Sequence, residues 1–230
     1  MPTLIPIVEG DGEVRALPLL LRRLFHEVLQ VYDINVAQPK NAHGCGNLTA
    51  SDQLERFVKY ALLEPECDGV LVLIDNDAVE GVIGTNELND TCAPAFACYL
   101  ATRIHHLSPT KPVVIVVARW EYESWFLASL DTMNQAISIP QGTAYPGDIE
   151  SERSAKGWID RRLAPGQKYL ETRDQVRMTA HLDLRAAELG SRSFRRLKHA
   201  LEQLIQAHEM NQVIVTPLPD HYADTLGESE

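Results

Sequence analysis

Hydrophobic positions follow two alternating patterns over the first half of the chain. Residues 4–8 form a short apolar run that stops at Glu9-Gly10. Apolar residues then return at helical spacing between 14 and 31, at Leu17, Leu20, Leu21, Leu24 and Val28, which predicts an amphipathic helix. A run at 33–37 predicts a second strand, and residues 38–50, rich in Gly, Asn and Pro, predict a long loop. Ser51 is placed to cap a helix carrying Leu54, Phe57, Val58, Ala61 and Leu62, with Glu55 near its first turn. Continuous apolar runs at 69–74 and 112–118 predict strands buried on both faces, with a helix from 92 to 106 between them. Beyond Trp125 the pattern weakens. Residues 140–150 predict a loop, 151–210 a series of helical pieces, and 212–216 a last short strand.

Strands alternating with helices in this order predict an α/β fold, with a mainly parallel, Rossmann-like sheet flanked by helices on both faces. The change of pattern divides the chain into an α/β core at 1–130 and a mostly helical extension at 131–230, packed on the core as a single compact unit. Composition agrees with a globular chain: 45% of the 230 residues are hydrophobic and 23% charged, which excludes disordered, collagen-like and coiled-coil classes. No apolar run approaches the roughly 18–20 residues that span a bilayer. The first residues lack a basic segment and turn acidic at Glu9, so no signal peptide and a cytoplasmic location are expected. Cys45, Cys67, Cys92 and Cys98 include no CxxC pair and are expected as free thiols.

The formal charge of −11 argues against a simple nucleic-acid coat, but it is unevenly spread. Residues 1–150 hold 9 basic and 20 acidic residues, 151–200 hold 12 and 6, and 201–230 hold 6 acidic and no basic ones. The basic stretch includes Arg161, Arg162, Arg192, Arg195, Arg196 and Lys198, which read either as a backbone-contacting surface or as a solvated helix face.

Three predicted strands end in acids. The first runs into Glu9-Gly10-Asp11-Gly12-Glu13, the third into Asp75-Asn76-Asp77, and the fourth into Arg119-Trp120-Glu121-Tyr122-Glu123. Parallel strands would bring these ends to one edge, where ligands of open α/β sheets bind. Converging carboxylates repel each other and are costly to desolvate unless a cation neutralises them. Hard oxygen ligands suit Mg²⁺, Mn²⁺ or Ca²⁺. Glu9, Asp75 and Asp77 are therefore the central candidates. The glycines flanking Asp11 allow a tight turn or a close approach to a ligand. Glu13 has a plainer reading too, as an acid at a helix N-terminus. Glu121 and Glu123 read either as part of the site or as partners of Arg119 and of a helix starting near Ser124. Asp11 and Glu80 read as solvated, Trp120 and Trp125 as core or site-wall residues, and His105-His106 as surface or packing residues. No GxxxxGK[ST] or GxSxG motif is present.

This constellation resembles the Toprim fold, the metal-binding domain of topoisomerases, bacterial primases and OLD-family nucleases. A Glu after the first strand and an Asp-x-Asp after a later one carry the resemblance, here Glu9 and Asp75/Asp77. More narrowly the chain resembles the DUF4276 family of bacterial Toprim-like proteins. The matching stretches are Val8–Glu13, residues 73–77, residues 121–128, and Ser191-Arg192-Ser193-Phe194-Arg195-Arg196-Leu197. The resemblance implies a phosphodiester site dependent on Mg²⁺ or Mn²⁺. It implies Glu13 as a further metal ligand, since OLD-type nucleases carry an acid four residues after the first Glu. It also implies a catalytic lysine, for which Lys156 and Lys168 are the candidates and Lys40 a weaker third. Glu9, Asp75, Asp77 and Glu121 would then be catalytic, and Glu123 would complete a metal shell. Implied partners are a nucleic acid, DNA or RNA, as substrate and an ATPase in a bacterial defence setting, with homo-oligomerisation left open. Two other readings stay beside the nuclease: a non-catalytic Toprim-like module that docks on an ATPase, and a hydrolase or transferase of a small phosphate-containing substrate.

Overall fold

The computed structural model describes residues 2–50, 52–76 and 92–219. Asp77 and Glu80, like Ser51, lie outside these residues. Strand β1 (Thr3–Val8) leads into helix α1 (Asp11–Arg23), which continues through a π-helical turn at Leu24–Val28. Short strands β2 (Asn35–Val36) and β3 (Lys40–Asn41) follow, then α2 (Cys45–Thr49), α3 (Gln53–Leu62) and β4 (Cys67–Asp75). Helix α4 (Ala93–His105) precedes β5 (Val113–Ala118) and a 3₁₀ segment at Tyr122–Ser129 that runs into α5 (Leu130–Met133). A 3₁₀ turn at Ile149–Ser151 leads to α6 (Ala155–Asp160), α7 (Glu171–His181), α8 (Leu184–Gly190), α9 (Arg192–Glu209) and β6 (Val215–Thr216).

Among the described residues all strand pairings are parallel, in the order β2-β1-β4-β5-β6, with β3 paired to β1 beyond β2. β2 and β3 thus share one edge of β1. The region predicted as an uninterrupted loop at 38–50 contains β3 and α2, and the strand predicted at 33–37 shrinks to two residues. Each piece is too short to carry a strand or helix signature above its Gly-rich surroundings.

Alternation along the strands sorts the core into two layers. Ile5, Ile7, Val70, Val72, Ile74, Val113, Ile115 and Val117 face α2, α3 and α4. Leu4, Val8, Leu71, Leu73, Val114 and Val116 face α1 and the helices after residue 150. That second layer buries Leu17, Leu20, Leu21, Trp125, Phe126, Phe194, Leu197 and Leu201, each such side chain stabilising the fold by about 1.5–3 kcal/mol. The continuous apolar runs of β4 and β5 follow directly from cover on both faces.

The sequence segment Ser191–Leu197 acquires a structural role. Ser191 caps α9, its Oγ accepting from Phe194 N at 3.0 Å. Ser193 Oγ accepts from Trp125 Nε1 at 3.0 Å, and the Phe194 ring meets Trp125 edge-on with centroids 5.4 Å apart. The same residues therefore lock α9 against the segment that leaves β5. Cys45, Cys67, Cys92 and Cys98 are thiols, none of them in a disulfide. Among the described residues no helix is long and apolar enough to cross a membrane.

Candidate functional site

Glu9 follows β1 and Asp75 ends β4, and these strands are parallel neighbours. Their carboxyl ends coincide closely enough for Glu9 Oε1 to accept from the Asp75 amide. The next amide, Asn76 N, donates to Trp120 O at 2.9 Å, which ties the end of β4 to the chain leaving β5. The acids at 9, 75 and 121–123 thus gather along one edge of the sheet. Asp77 lies outside the described residues.

Three acids of this neighbourhood are set deeper. Glu13, Glu121 and Glu123 are all buried. Glu13 Oε1 accepts from Gln175 Nε2 at 2.9 Å, and the same amide reaches Glu123 Oε1 at 3.4 Å. Tyr169 donates to Glu123 Oε1 at 2.8 Å. Glu121 Oε2 accepts from the Lys156 amide at 2.8 Å, and Lys156 Nζ meets Glu171 Oε2 at 2.8 Å. Burial, with Glu171 adding to it, pushes the Glu13 carboxyl above its usual range against the bond from Gln175. Burial, then Glu121 and Glu13, push Glu123 up to about 8 despite the opposing charge of Lys156. Burial alone would pull the Lys156 ammonium down, but Glu123, Glu171 and Glu121 outweigh it and hold the lysine protonated.

The two lysine candidates now separate. Lys156 lies among the acids, whereas Lys168 is exposed just before Tyr169, on the wall of a cavity shared with Arg173 and Arg177. Lys40 is engaged with Glu64 at 2.5 Å. Asp11 is exposed and accepts from Asn41 at 2.6 Å.

The glycines flanking Asp11 serve neither a left-handed turn nor an unusual backbone, since Gly10 is extended at φ −131°. They make room. A Cβ on Gly12 would lie 2.5 Å from Gln175 Oε1 and 2.7 Å from Glu171 Cγ, and one on Gly10 would lie 2.7 Å from Glu13 Oε2. The bare backbone at Gly12 lets helix α7 seat its first two turns against α1, and that at Gly10 leaves room for the Glu13 carboxylate. Sequence reasoning misses Tyr169, Glu171 and Gln175. Their one signal is the i, i+4 spacing of Glu171 and Gln175, which any solvated polar helix face shares.

Among the described residues, the buried oxygens Glu13 Oε2 and Gln175 Oε1 of this cluster have no hydrogen-bond partner. Such atoms are costly to bury unsatisfied. Carboxylate oxygens of this kind are the hard donors that a divalent cation takes. Among the described residues, no three His, Cys, Asp or Glu side chains stand as a complete ligand set.

The profile of DUF4276, described as a domain of unknown function, matches residues 8–202. The chain belongs to the DUF4276 family. The match starts one residue before Glu9 and ends within α9, so this DUF4276 chain carries both the strand-end acids and the α7 residues inside the matched region. Among curated proteins none matches it. Among solved structures it is similar to the C-terminal region of the Xanthomonas campestris pv. campestris OLD protein, at 14% identity and a TM-score of 0.41 over 92% of this chain and 98% of that one. It is also similar to the C-terminal region of the Burkholderia pseudomallei OLD protein, at 16% identity and a TM-score of 0.42 over 90% and 99%.

The basic stretch is largely engaged within the fold. Lys198 pairs with Glu188 at 2.7 Å, and Arg195 donates to the carbonyls of Glu188 and Leu189 at the end of α8. Arg173 pairs with the buried Asp174, and Arg162 lies 3.4 Å from the Trp158 ring centroid. For these residues the packing role prevails over a backbone-contacting surface.

Proposed function

We propose that this chain is a divalent-metal-dependent phosphodiester hydrolase of Toprim type. The observation that carries this reading is the meeting of Glu9 with the Asp75 amide at adjacent parallel strand ends, beside the orphaned, buried oxygen of Glu13. The motif order that resembles Toprim nucleases supports it. Glu9, Glu13, Asp75 and Asp77 would hold Mg²⁺ or Mn²⁺, with Glu123 at the inner side. A bound divalent ion supplies Lewis acidity and a water made acidic enough to attack at neutral pH. The chain's own groups do the rest. Lys156, kept cationic by its acidic neighbours, offsets charge building on the phosphate. Glu121 fixes the main chain of Lys156 through its amide, and Tyr169 and Gln175 orient the carboxylates of Glu123 and Glu13. Nucleic acid, DNA or RNA, is the proposed substrate, and a defence-associated ATPase the proposed partner.

A second reading, a non-catalytic module of an ATPase complex, is favoured by the prior engagement of Glu13 and Glu123 with Gln175 and Tyr169. One experiment separates the two. Purified full chain is incubated with single- and double-stranded DNA and with RNA in Mn²⁺, beside Asp75→Ala and Glu9→Gln. The hydrolase reading expects metal-dependent cleavage lost in both variants. Equal cleavage by the wild type and Asp75→Ala would sink it, as would inertness of the wild type in the presence of its ATPase.

A further inference from the structure

A cavity of about 540 Å³ opens on another flank of α7, a volume within the roughly 300–1,000 Å³ of small-molecule sites. Its walls are the turn that follows α5 and the segment 163–168 that leads into α7. Ala164 N donates to Ser138 O at 2.9 Å and joins the two walls. Asp174 lines the cavity, whereas Gln175, the next residue and about 100° round the helix, meets Glu13. Glu13, Glu121, Glu123, Lys156, Tyr169 and Glu171 are not among the lining residues. The cavity and the acid cluster therefore share a helix but no side chain.

Charge in this cavity is unbalanced. Among the described residues that line it, Lys168, Arg173 and Arg177 are cationic and Asp174 alone is acidic, a formal balance of +2. Asp174 is buried and its carboxylate is committed. Arg173 Nε and Nη2 grip its two oxygens at 2.7 Å each, and the Leu170 amide donates to Oδ2 at 2.8 Å. Burial alone would raise the Asp174 carboxyl, but Arg173 and the Leu170 amide hold it below its usual range. Arg177 reaches Asp174 only at 3.8 Å, beyond hydrogen-bond length. Among the described residues, Arg173 Nη1, the Lys168 ammonium and the side-chain amides of Asn134 and Gln167 have no partner. Ile137 and Leu163 give the cavity an apolar side continuous with the core.

The balance of +2 matches a phosphate monoester, which carries about −1.5 to −2 at neutral pH, better than a single carboxylate. Guanidiniums present the paired donors that phosphate oxygens accept, and an ammonium adds a point charge. Each amide of Asn134 and Gln167 offers a donor and an acceptor, as the edge of a nucleobase does, beside apolar surface for its flat face. We infer that this cavity binds a nucleoside monophosphate, with Lys168, Arg173 and Arg177 on the phosphate and Asn134 and Gln167 on the base. The site is separate from the acid cluster and does not rest on the hydrolase reading.

The test is binding without chemistry. The full chain in EDTA is titrated calorimetrically with AMP, GMP, CMP and UMP in turn, and with the matching nucleosides, ribose 5-phosphate and inorganic phosphate. Expected is one site per chain for at least one monophosphate, about 10-fold or more tighter than for its nucleoside or for either simpler phosphate. Lys168→Gln and Arg177→Gln should each weaken that Kd by about 10-fold, and the pair by more. Arg185→Gln, an exposed arginine on α8, should bind as the wild type does. Lys168 and Arg177 are both exposed, and thermal melts of each variant confirm folding. Lys168→Gln alone keeps the result readable if the pair unfolds. Failure of all four monophosphates overturns the inference, as does an equal Kd for the wild type and the folded pair. A nucleoside that binds as tightly as its monophosphate overturns the phosphate contacts. Equal binding of ribose 5-phosphate or inorganic phosphate overturns the base contacts. Because EDTA removes any metal from Glu9 and Asp75, a nuclease assay that fails leaves this outcome standing, and the reverse also holds.

Discussion

Trp125 donates its indole N–H to Ser193 Oγ across 68 residues of chain. Both groups are fully buried, so the bond joins the segment after β5 to α9 where water cannot substitute. Ser193→Ala leaves the indole N–H unsatisfied and should cost about 1–3 kcal/mol, a melting temperature lower by about 2–4 °C per kcal/mol for a chain of this size. Ser193→Ala in a Trp125→Phe background should cost much less, because the orphaned donor is gone. Calorimetric melts of the four proteins form the cycle, and additive losses would refute the coupling.

Gly12→Ala should loosen the seating of α7 on α1. The added methyl meets Gln175 Oε1 and Glu171 Cγ well inside contact distance, and overpacking of this kind costs about 1–3 kcal/mol. The displaced Gln175 would release Glu13, so loss of cleavage should exceed what the loss of stability explains. Activity per folded molecule, measured well below the melting temperature, checks this.

Stability should fall as pH rises through the range of Glu123. Its carboxyl, near 4.5 when unfolded and about 8 in the fold, keeps a proton that unfolding releases across this window. The folded state therefore binds more protons, and its advantage, complete below about pH 4.5, is lost on approaching pH 8. The effect is on the order of a few kcal/mol at most. Glu123→Gln should flatten that slope in chemical denaturation curves at pH 5, 6.5 and 8. Mn²⁺ should raise the melting temperature most at pH 8, where less proton has to be displaced. A Mn²⁺ effect that is the same at pH 5 and pH 8 would contradict this.

Lys156→Ala and Lys168→Ala should behave differently. Lys156 lies among Glu121, Glu123 and Glu171, whereas Lys168 is exposed beside Arg173. Removing the first should lower cleavage by about 10²-fold or more, and removing the second should leave kcat within about twofold. Steady-state rates in Mn²⁺ distinguish them.

The parallel sheet is legible in the sequence because its strands advertise themselves. β4 and β5 are buried on both faces, so 69–74 and 112–118 read as unbroken apolar runs, and helical spacing marks α1, α3 and α4. Parallel order alone then places Glu9, Asp75 and Glu121 on one edge. The deeper layer of the acid cluster is not legible, because Tyr169, Glu171 and Gln175 are ordinary polar residues, and Glu123 and Glu13 lie 46 and 162 positions from the Tyr169 and Gln175 they meet. The glycines at 10 and 12 stand out in sequence for backbone freedom, but their use is clearance, for the Glu13 carboxylate at 10 and for another helix at 12, which depends on tertiary packing. The basic stretch is visible as composition, while its engagement with Glu150, Asp174, Glu188 and Trp158 depends on where α6–α9 come to rest.

The clearance at Gly12 also orders events in time. Glu9, Glu13, Asp75, Glu121 and Glu123 are all synthesised before Lys156, Tyr169, Glu171 and Gln175. β1, β4 and β5 are likewise complete in the chain before α7 is made. Without α7, Glu13 lacks the Gln175 amide and Lys156 lacks Glu171. A polypeptide released short of residue 169 therefore carries the acids without Tyr169, Glu171 and Gln175.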